Sequence, residues 1–295
     1  MASMRDLKGR IGSVASSEKI TGAMKMISSA KMHKADMALR RVRPFRDQIQ
    51  RTINHLISAD AEYSSPLTEA RPVKRRAVVL LSSDEGLCGA FNMNLFKRTL
   101  ELINRGREEA GNSVMFVVYP VGKKASQFAR KLVGKGVEIA VVDYMTAKSS
   151  GEEIARFTSE LTRDFLAGKI DEIEVVYTHY KSASKQLLAT RKLLPISAGD
   201  LVTGEKVERN KPYLFEPDVN TIYSEVLPLY VLANMQEAIS SNRVSEQAAR
   251  VMAMQSANDN AKELLDDLQL EYNKLRQQSI TSELLDIAGG QGAQD

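Results

Sequence analysis

The sequence predicts an α/β protein in which an α/β domain is inserted between two long terminal helices. Three observations predict it. Residues 229–288 contain no Gly and no Pro, so nothing in that stretch interrupts a helix. At the other end, Ser3 to Ile57 carries its apolar residues at helical spacing. Between the two, short β-branched runs alternate with amphipathic stretches, the pattern of a mostly parallel sheet covered by helices.

In the first helix Met4, Leu7, Ile11 and Val14 are spaced three, four and three apart. The pattern then slips and resumes at Ile20, Met24 and Ile27, and Phe45, Ile49, Ile53 and Leu56 form a stripe near the far end. Gly9, Gly12 and Gly22 each cost about 1 kcal/mol relative to Ala in a helix interior. Close approach to a neighbouring backbone would offset that cost. Pro44 is expected to kink or loosen the helix.

The strand runs are Ala77–Ser82, Ser113–Tyr119, Val137–Asp143 and Ile173–His179, with helices near 94–107, 123–133 and 152–166 between them. Gln186–Ile196 follows a short polar turn and is expected to pair antiparallel with Ile173–His179. In the last helix Ala261, Leu265, Leu268, Tyr272 and Leu275 step four, three, four, three, a heptad seam. Apolar residues resume at Ile280, Leu284 and Ile287 on a shifted phase, which marks a change of partner. The expected divisions are a helix over 1–60, an α/β domain over 75–200, a loop over 201–217, a helix over 218–288 and a tail over 289–295.

Charge joins the two ends. Residues 1–60 hold 12 Lys/Arg and 5 Asp/Glu, whereas residues 218–295 hold 5 and 12. Two such helices pairing antiparallel would gain some tenths of a kcal/mol per exposed ion pair. Helices of roughly 55 and 70 residues, paired from the Ile57 and Asp218 end, leave the second overhanging by about 15 residues, or about 22 Å. The overhang begins near Asn273, where the heptad seam also breaks. Its apolar residues Ile280, Leu284, Leu285 and Ile287 then need a partner outside the chain.

Several function classes are disfavoured. No apolar run reaches the ~18 residues of a membrane span, and Arg5, Asp6 and Lys8 interrupt any secretory signal. One cysteine, Cys88, excludes an internal disulfide, and no Cys/His cluster suggests a metal site. The turn Ser82–Gly89 matches neither Gly-rich phosphate motif. Ser182-Ala183-Ser184-Lys185 fits S-x-x-K without its companion motifs. His33, His55 and His179 are dispersed, so no nucleophile, base and orienter assemble, and no cofactor is expected. A basic arm for nucleic acid would lack interleaved aromatics, and the acidic end offers it a partner instead.

Three blocks carry a family resemblance. They are Lys19-Ile20-Thr21-Gly22-Ala23-Met24-Lys25-Met26 with Ser29-Ala30-Lys31-Met32; Gly86-Leu87-Cys88-Gly89-Ala90-Phe91-Asn92; and Ser245-Glu246-Gln247-Ala248-Ala249-Arg250-Val251-Met252-Ala253-Met254, continuing to 272–281. The whole chain resembles the gamma subunits of F-type ATP synthases. The resemblance implies a long antiparallel coiled coil with an inserted Rossmann-like α/β domain. It implies a rotor stalk without chemistry of its own, turned by the c-ring and cycling the beta-subunit catalytic sites inside an alpha–beta hexamer. Arg276 and Gln277 match positions that hydrogen-bond a beta-subunit loop. Met24 and Lys25 match positions facing the moving ends of the beta subunits. The tip Ile280, Leu284, Leu285 and Ile287 would turn in the hexamer's bearing. Tyr213, Leu214, Phe215 and Glu216 match the foot on the c-ring, where the epsilon subunit docks. Membrane association is expected only through the complex, at the cytoplasmic face of a bacterial inner membrane. Glu85 stands where the family commonly has Arg, and the single cysteine excludes the redox switch of chloroplast members.

Overall fold

The computed structural model describes residues 3–58, 65–110, 114–134, 136–197 and 216–291, with side chains past Leu285 left undescribed. Two long helices carry the ends: α1, Met4–Ser58, has 55 residues, and the last helix, Val219–Gln291, has 73. Between them lie β1 (Arg75–Leu81), α2 (Phe91–Ala110), β2 (Met115–Val121), α3 (Lys123–Ala129), β3 (Val137–Ile139), α4 (Gly151–Leu166), β4 (Glu172–Tyr180) and β5 (Gln186–Leu194). The last helix is α5. The chain divides into two compact units, Met1–Ser29 with Arg250–Asp295, and Ala30–Ala249.

The second unit holds a five-stranded sheet of order β3-β2-β1-β4-β5. β1 pairs parallel with β2 and β4, β2 parallel with β3, and only β5 runs antiparallel, against β4. β1 is buried on both faces, as parallel strands are. Ala77, Val79 and Leu81 point into one layer with Phe157 and Phe165 of α4, Ile53 and Leu56 of α1, and Tyr223 and Leu227 of α5. Val78 and Leu80 point into the other, with Phe91, Leu95 and Ile103 of α2, Ala125 of α3 and Phe116 of β2. α4 starts from a capping box: Ser150 accepts from the Glu153 amide, and the Glu153 carboxylate accepts from the Ser150 amide.

Two elements are shorter than the sequence predicts. α3 stops at Ala129, because the Lys131 and Leu132 amides turn back to Phe128 and Ala129 and Gly134 adopts φ +109°. β3 stops at Ile139, and Val141 beyond it is exposed. α1 continues helical through Pro44.

The sheet reverses its winding between β1 and β4, and the mouth of the sheet there is the usual ligand crevice of an open α/β sheet. Here α5 fills it. Arg243 donates to the carbonyls of Ala147 and Ser149 at 2.6 and 2.5 Å. The space left beside Leu81, Ser82 and Arg243 is about 10 Å³, room for about one water. The Ser82 hydroxyl is engaged by the Ala125 amide at 2.7 Å. At Gly122 a Cβ would stand 2.7 Å from the Ser82 carbonyl, so the backbones meet too closely for a side chain. α5 also terminates β4: the Thr178 and Tyr180 amides donate to Asn242 and Ser241, and Ser245 donates to the Thr178 carbonyl. This middle of α5 is therefore buried although polar.

The first unit is a two-helix coil. On α5 the heptad positions Met254, Asn258, Ala261, Leu265, Leu268, Tyr272 and Leu275 are all shielded, at alternating steps of four and three. On α1 they are Leu7, Ile11, Val14, Glu18, Thr21, Lys25 and Ser28. The heptad phase of α1 therefore never slips, and the shift expected at Ile20 does not occur. Ile20 and Ile27 are instead 59% and 56% exposed. The seam stays in phase by turning polar. Asn258 Nδ2 donates to the Glu18 carbonyl at 2.7 Å and lies 3.4 Å from Thr21 Oγ1. A Cβ on Gly22 would approach the same Asn258 nitrogen to 3.3 Å, whereas Gly9 and Gly12 have nothing near them. Of the three helix glycines, one is explained by close approach.

Candidate functional site: an unpartnered helix tip

Within the coil, Asn258 lies against Glu18 and Thr21. Counting outward along antiparallel helices from that contact, Leu7 stands level with about residues 269–272 and α1 ends near residue 275. α5 runs on to Gln291. The last large apolar seam residue is Leu275, with Ser279 half-buried one step beyond it, whereas Ile280, Leu284 and Leu285 are 45%, 62% and 67% exposed. Three large apolar side chains on one solvated helix end form a surface that soluble chains rarely present without a partner.

Arg276 and Gln277 lie at the start of that tip and are exposed, so the guanidinium fork and the amide both face outward. Ile287 lies among the residues whose side chains are not described. Met24 and Lys25 are half-buried at the coil seam, level with the region of Met254. That is about 23 residues, or about 35 Å, along the coil from Arg276, so they do not form one site with it. Tyr213, Leu214 and Phe215 lie outside the described residues, and Glu216 is exposed just before α5.

Reading Ile20 and Ile27 as seam residues hid a second surface. With Met26, which is 68% exposed, they leave a solvated apolar stripe on α1. The signal that finds it is the seven-residue phase set by Leu7, Ile11 and Val14, followed strictly through the polar residues. At the β1 turn, Glu85 pairs with Lys148 at 3.3 Å, both exposed. Cys88 is buried, with Asn92 Nδ2 at 3.2 Å from its sulfur.

The tip supplies an apolar knob preceded by a cationic fork and an amide. This set can dock and hold, and it brings no nucleophile or base together. No described helix is long and apolar enough to cross a membrane.

A family model described as ATP synthase matches residues 3–293. The chain is 40% identical over 294 residues to the ATP synthase gamma chain of Phocaeicola vulgatus, covering 98% of this chain and 99% of the relative. It is 36% identical over 296 residues to that of Psychrobacter cryohalolentis, covering 99% of each. Among solved structures, the rotor of the Euglena gracilis mitochondrial ATP synthase matches with TM-score 0.58 and 22% identity over 94% of this chain and 98% of that one. The OSCP/F1/c-ring assembly of the same organism matches with TM-score 0.60 and 23% identity over 98% and 94%. At those identities the likeness is one of fold.

Proposed function

We infer that this chain, which belongs to the ATP synthase gamma chain family, is the central rotor stalk of an ATP synthase. The observation that carries the reading is the end of α5, which outruns α1 and exposes Ile280, Leu284 and Leu285. An alternating hexamer of alpha and beta subunits has three equivalent catalytic sites and cannot hold them in three states by symmetry alone. One asymmetric shaft in its central hole touches each beta subunit differently and biases each toward a different conformation. Rotation then carries every site through every state. Proton flow through the c-ring turns the shaft and drives ATP release, and ATP hydrolysis runs the cycle backwards.

In this reading the chain is a subunit of the complex, and the chemistry takes place on the beta subunits. Ile280, Leu284, Leu285 and Ile287 turn in an apolar collar. Arg276 and Gln277 hydrogen-bond a beta-subunit loop, the fork suiting a carboxylate. Met24 and Lys25 face the moving ends of the beta subunits, where the exposed Ile20, Met26 and Ile27 add apolar contact. Tyr213, Leu214, Phe215 and Glu216 form the foot against the c-ring and the epsilon subunit. The chain reaches the cytoplasmic face of the membrane only through these partners.

The test is co-expression with alpha and beta subunits, with and without residues 273–295, followed by size exclusion and an ATPase assay. The full chain is expected to co-elute with a hexamer and support ATPase activity that the truncation weakens. Failure of both forms to associate would overturn the reading.

A further inference from the structure

Within the second unit, a cavity of about 160 Å³ opens between α1, β5 and α5, lined by Arg46, Gln50, Arg191, Lys192, Tyr230 and Asn234 together with two apolar residues. That is well beyond the ~10–15 Å³ that one water needs. We propose that it is a binding site for a small tetrahedral oxyanion, namely inorganic phosphate. The inference does not rest on the rotor reading.

The arrangement of charge carries the proposal. Three cations line the cavity: Arg46 from α1, and Arg191 and Lys192 in succession on β5. Their carboxylate partners do not line it. Glu237, whose side chain is 1% exposed, receives Arg191 Nη1 at 2.5 Å and lies 3.7 Å from Arg46 Nη1. Glu172 lies 3.3 Å from Lys192 Nζ, and Asp47 lies 2.6 Å from Arg46 Nη2. The wall presented to the cavity is thus cationic, with the balancing charge set behind it or beside it.

The second observation is an unmet donor. The Nε of Arg46 is buried and finds no acceptor. A buried guanidinium nitrogen without an acceptor is a standing cost, and an anion entering beside it can remove that cost. Phosphate suits the site because it accepts from several directions at once. Two guanidiniums can engage separate oxygens as charge-assisted donors, and the Lys192 ammonium can meet a third as a point charge. A planar carboxylate would use one fork and leave the other cations unengaged. The cavity has room for a phosphate group.

The purified full chain would be titrated by calorimetry with inorganic phosphate and, separately, with ADP. Thermal melting in sodium phosphate would be compared with sodium chloride at equal ionic strength. Phosphate is expected to bind at millimolar concentration or below and to raise Tm where chloride does not. Arg46→Gln and Lys192→Gln should each weaken binding about tenfold, while Lys192→Arg, which keeps the charge, should retain it. Arg191 is left in place because its loss would strand the buried Glu237. Circular dichroism verifies that the variants fold, and if Arg46→Gln does not, the Lys192→Gln and Lys192→Arg pair decides. Absence of phosphate binding, binding unchanged in Lys192→Gln, equal stabilisation by chloride, or binding of ADP without phosphate would each overturn the proposal.

Discussion

The two units are built from the same two helices and are held in different ways. In Ala30–Ala249 a sheet is sealed on both faces, and β1 is buried along nearly its whole length. In the coil, seven positions of each helix meet along one line, and the last four on α1 are Glu18, Thr21, Lys25 and Ser28. The first arrangement draws its stability from apolar area removed from water. The second has little such area, and its polar stretch contributes alignment more than energy, as a buried Asn does in coiled coils. A unit with a thin seam and exposed apolar ends is suited to finish its packing against another protein. A unit with a closed core is suited to stay rigid while it does so.

The largest effect is expected where the core is densest. Phe116→Ala should cost about 4 kcal/mol, because Phe116 is fully buried under α2. Chemical denaturation would measure it, and a cost under about 1 kcal/mol would remove the contrast between the units.

Next is the buried ion network of the second unit. Burial alone pushes the Glu237 carboxyl up, but Arg191 and then Arg46 and His179 bring it below its ordinary 4.5. Burial holds His179 below its ordinary 6.5, against the pull of Glu237. Both shifts act in one direction. As pH falls below 6.5 the unfolded His179 takes a proton before the folded one, and below 4.5 the unfolded Glu237 does the same. Stability is therefore full above about pH 6.5 and declines as pH falls through each folded pKa. Glu237→Gln should cost about 3 kcal/mol at neutral pH, since it strands Arg191. It should also flatten the part of the acid limb below about pH 4.5, while the part set by His179 deepens because the pull of Glu237 is gone. An unchanged limb below about pH 4.5 would assign that part elsewhere.

The coil should respond more weakly. Asn258→Ala loses the bond to the Glu18 carbonyl and should cost about 1 kcal/mol. Hydrogen exchange in the coil segments of α1 and α5 should rise while exchange in the sheet stays unchanged. A global loss would show that the two units unfold as one.

The smallest effect on stability is expected at the tip. Arg276→Glu with Gln277→Ala should change the stability of the isolated chain by no more than about 0.5 kcal/mol, because both side chains are exposed. The same pair should lower the ATPase and proton pumping of the assembled complex. Undiminished turnover would count against the beta-subunit contact.

Most of the architecture was legible in the residues. The alternation of β-rich runs with amphipathic stretches led to the four parallel strands and the antiparallel fifth, with ends off by a few residues. The heptad from Ala261 to Leu275 marked the coil, and helix length alone placed its overhang near Asn273. The seam of α1 was misread for a physical reason. Apolarity stands for burial only where water exclusion holds the helices together. Between Glu18 and Ser28 most of the α1 seam positions are small or hydrogen-bonding residues instead, so Ile20 and Ile27 looked like the seam while facing solvent. The cationic cavity gave no sequence signal, since Arg46, Arg191 and Asn234 are far apart in the chain and meet only when β5 lies beside both helices.

Local pattern by itself thus determined the elements, their order, the antiparallel pairing of oppositely charged ends and the unpartnered tip. These follow from backbone periodicity and chain length, which act over a few turns. Tertiary structure alone decided that α5 fills the crevice of the sheet with Arg243, that Glu237 gathers two arginines and a histidine, and which face of α1 is exposed. Those outcomes depend on which polar groups find partners across distant segments, and a buried donor or acceptor is settled by the neighbours the whole fold brings to it.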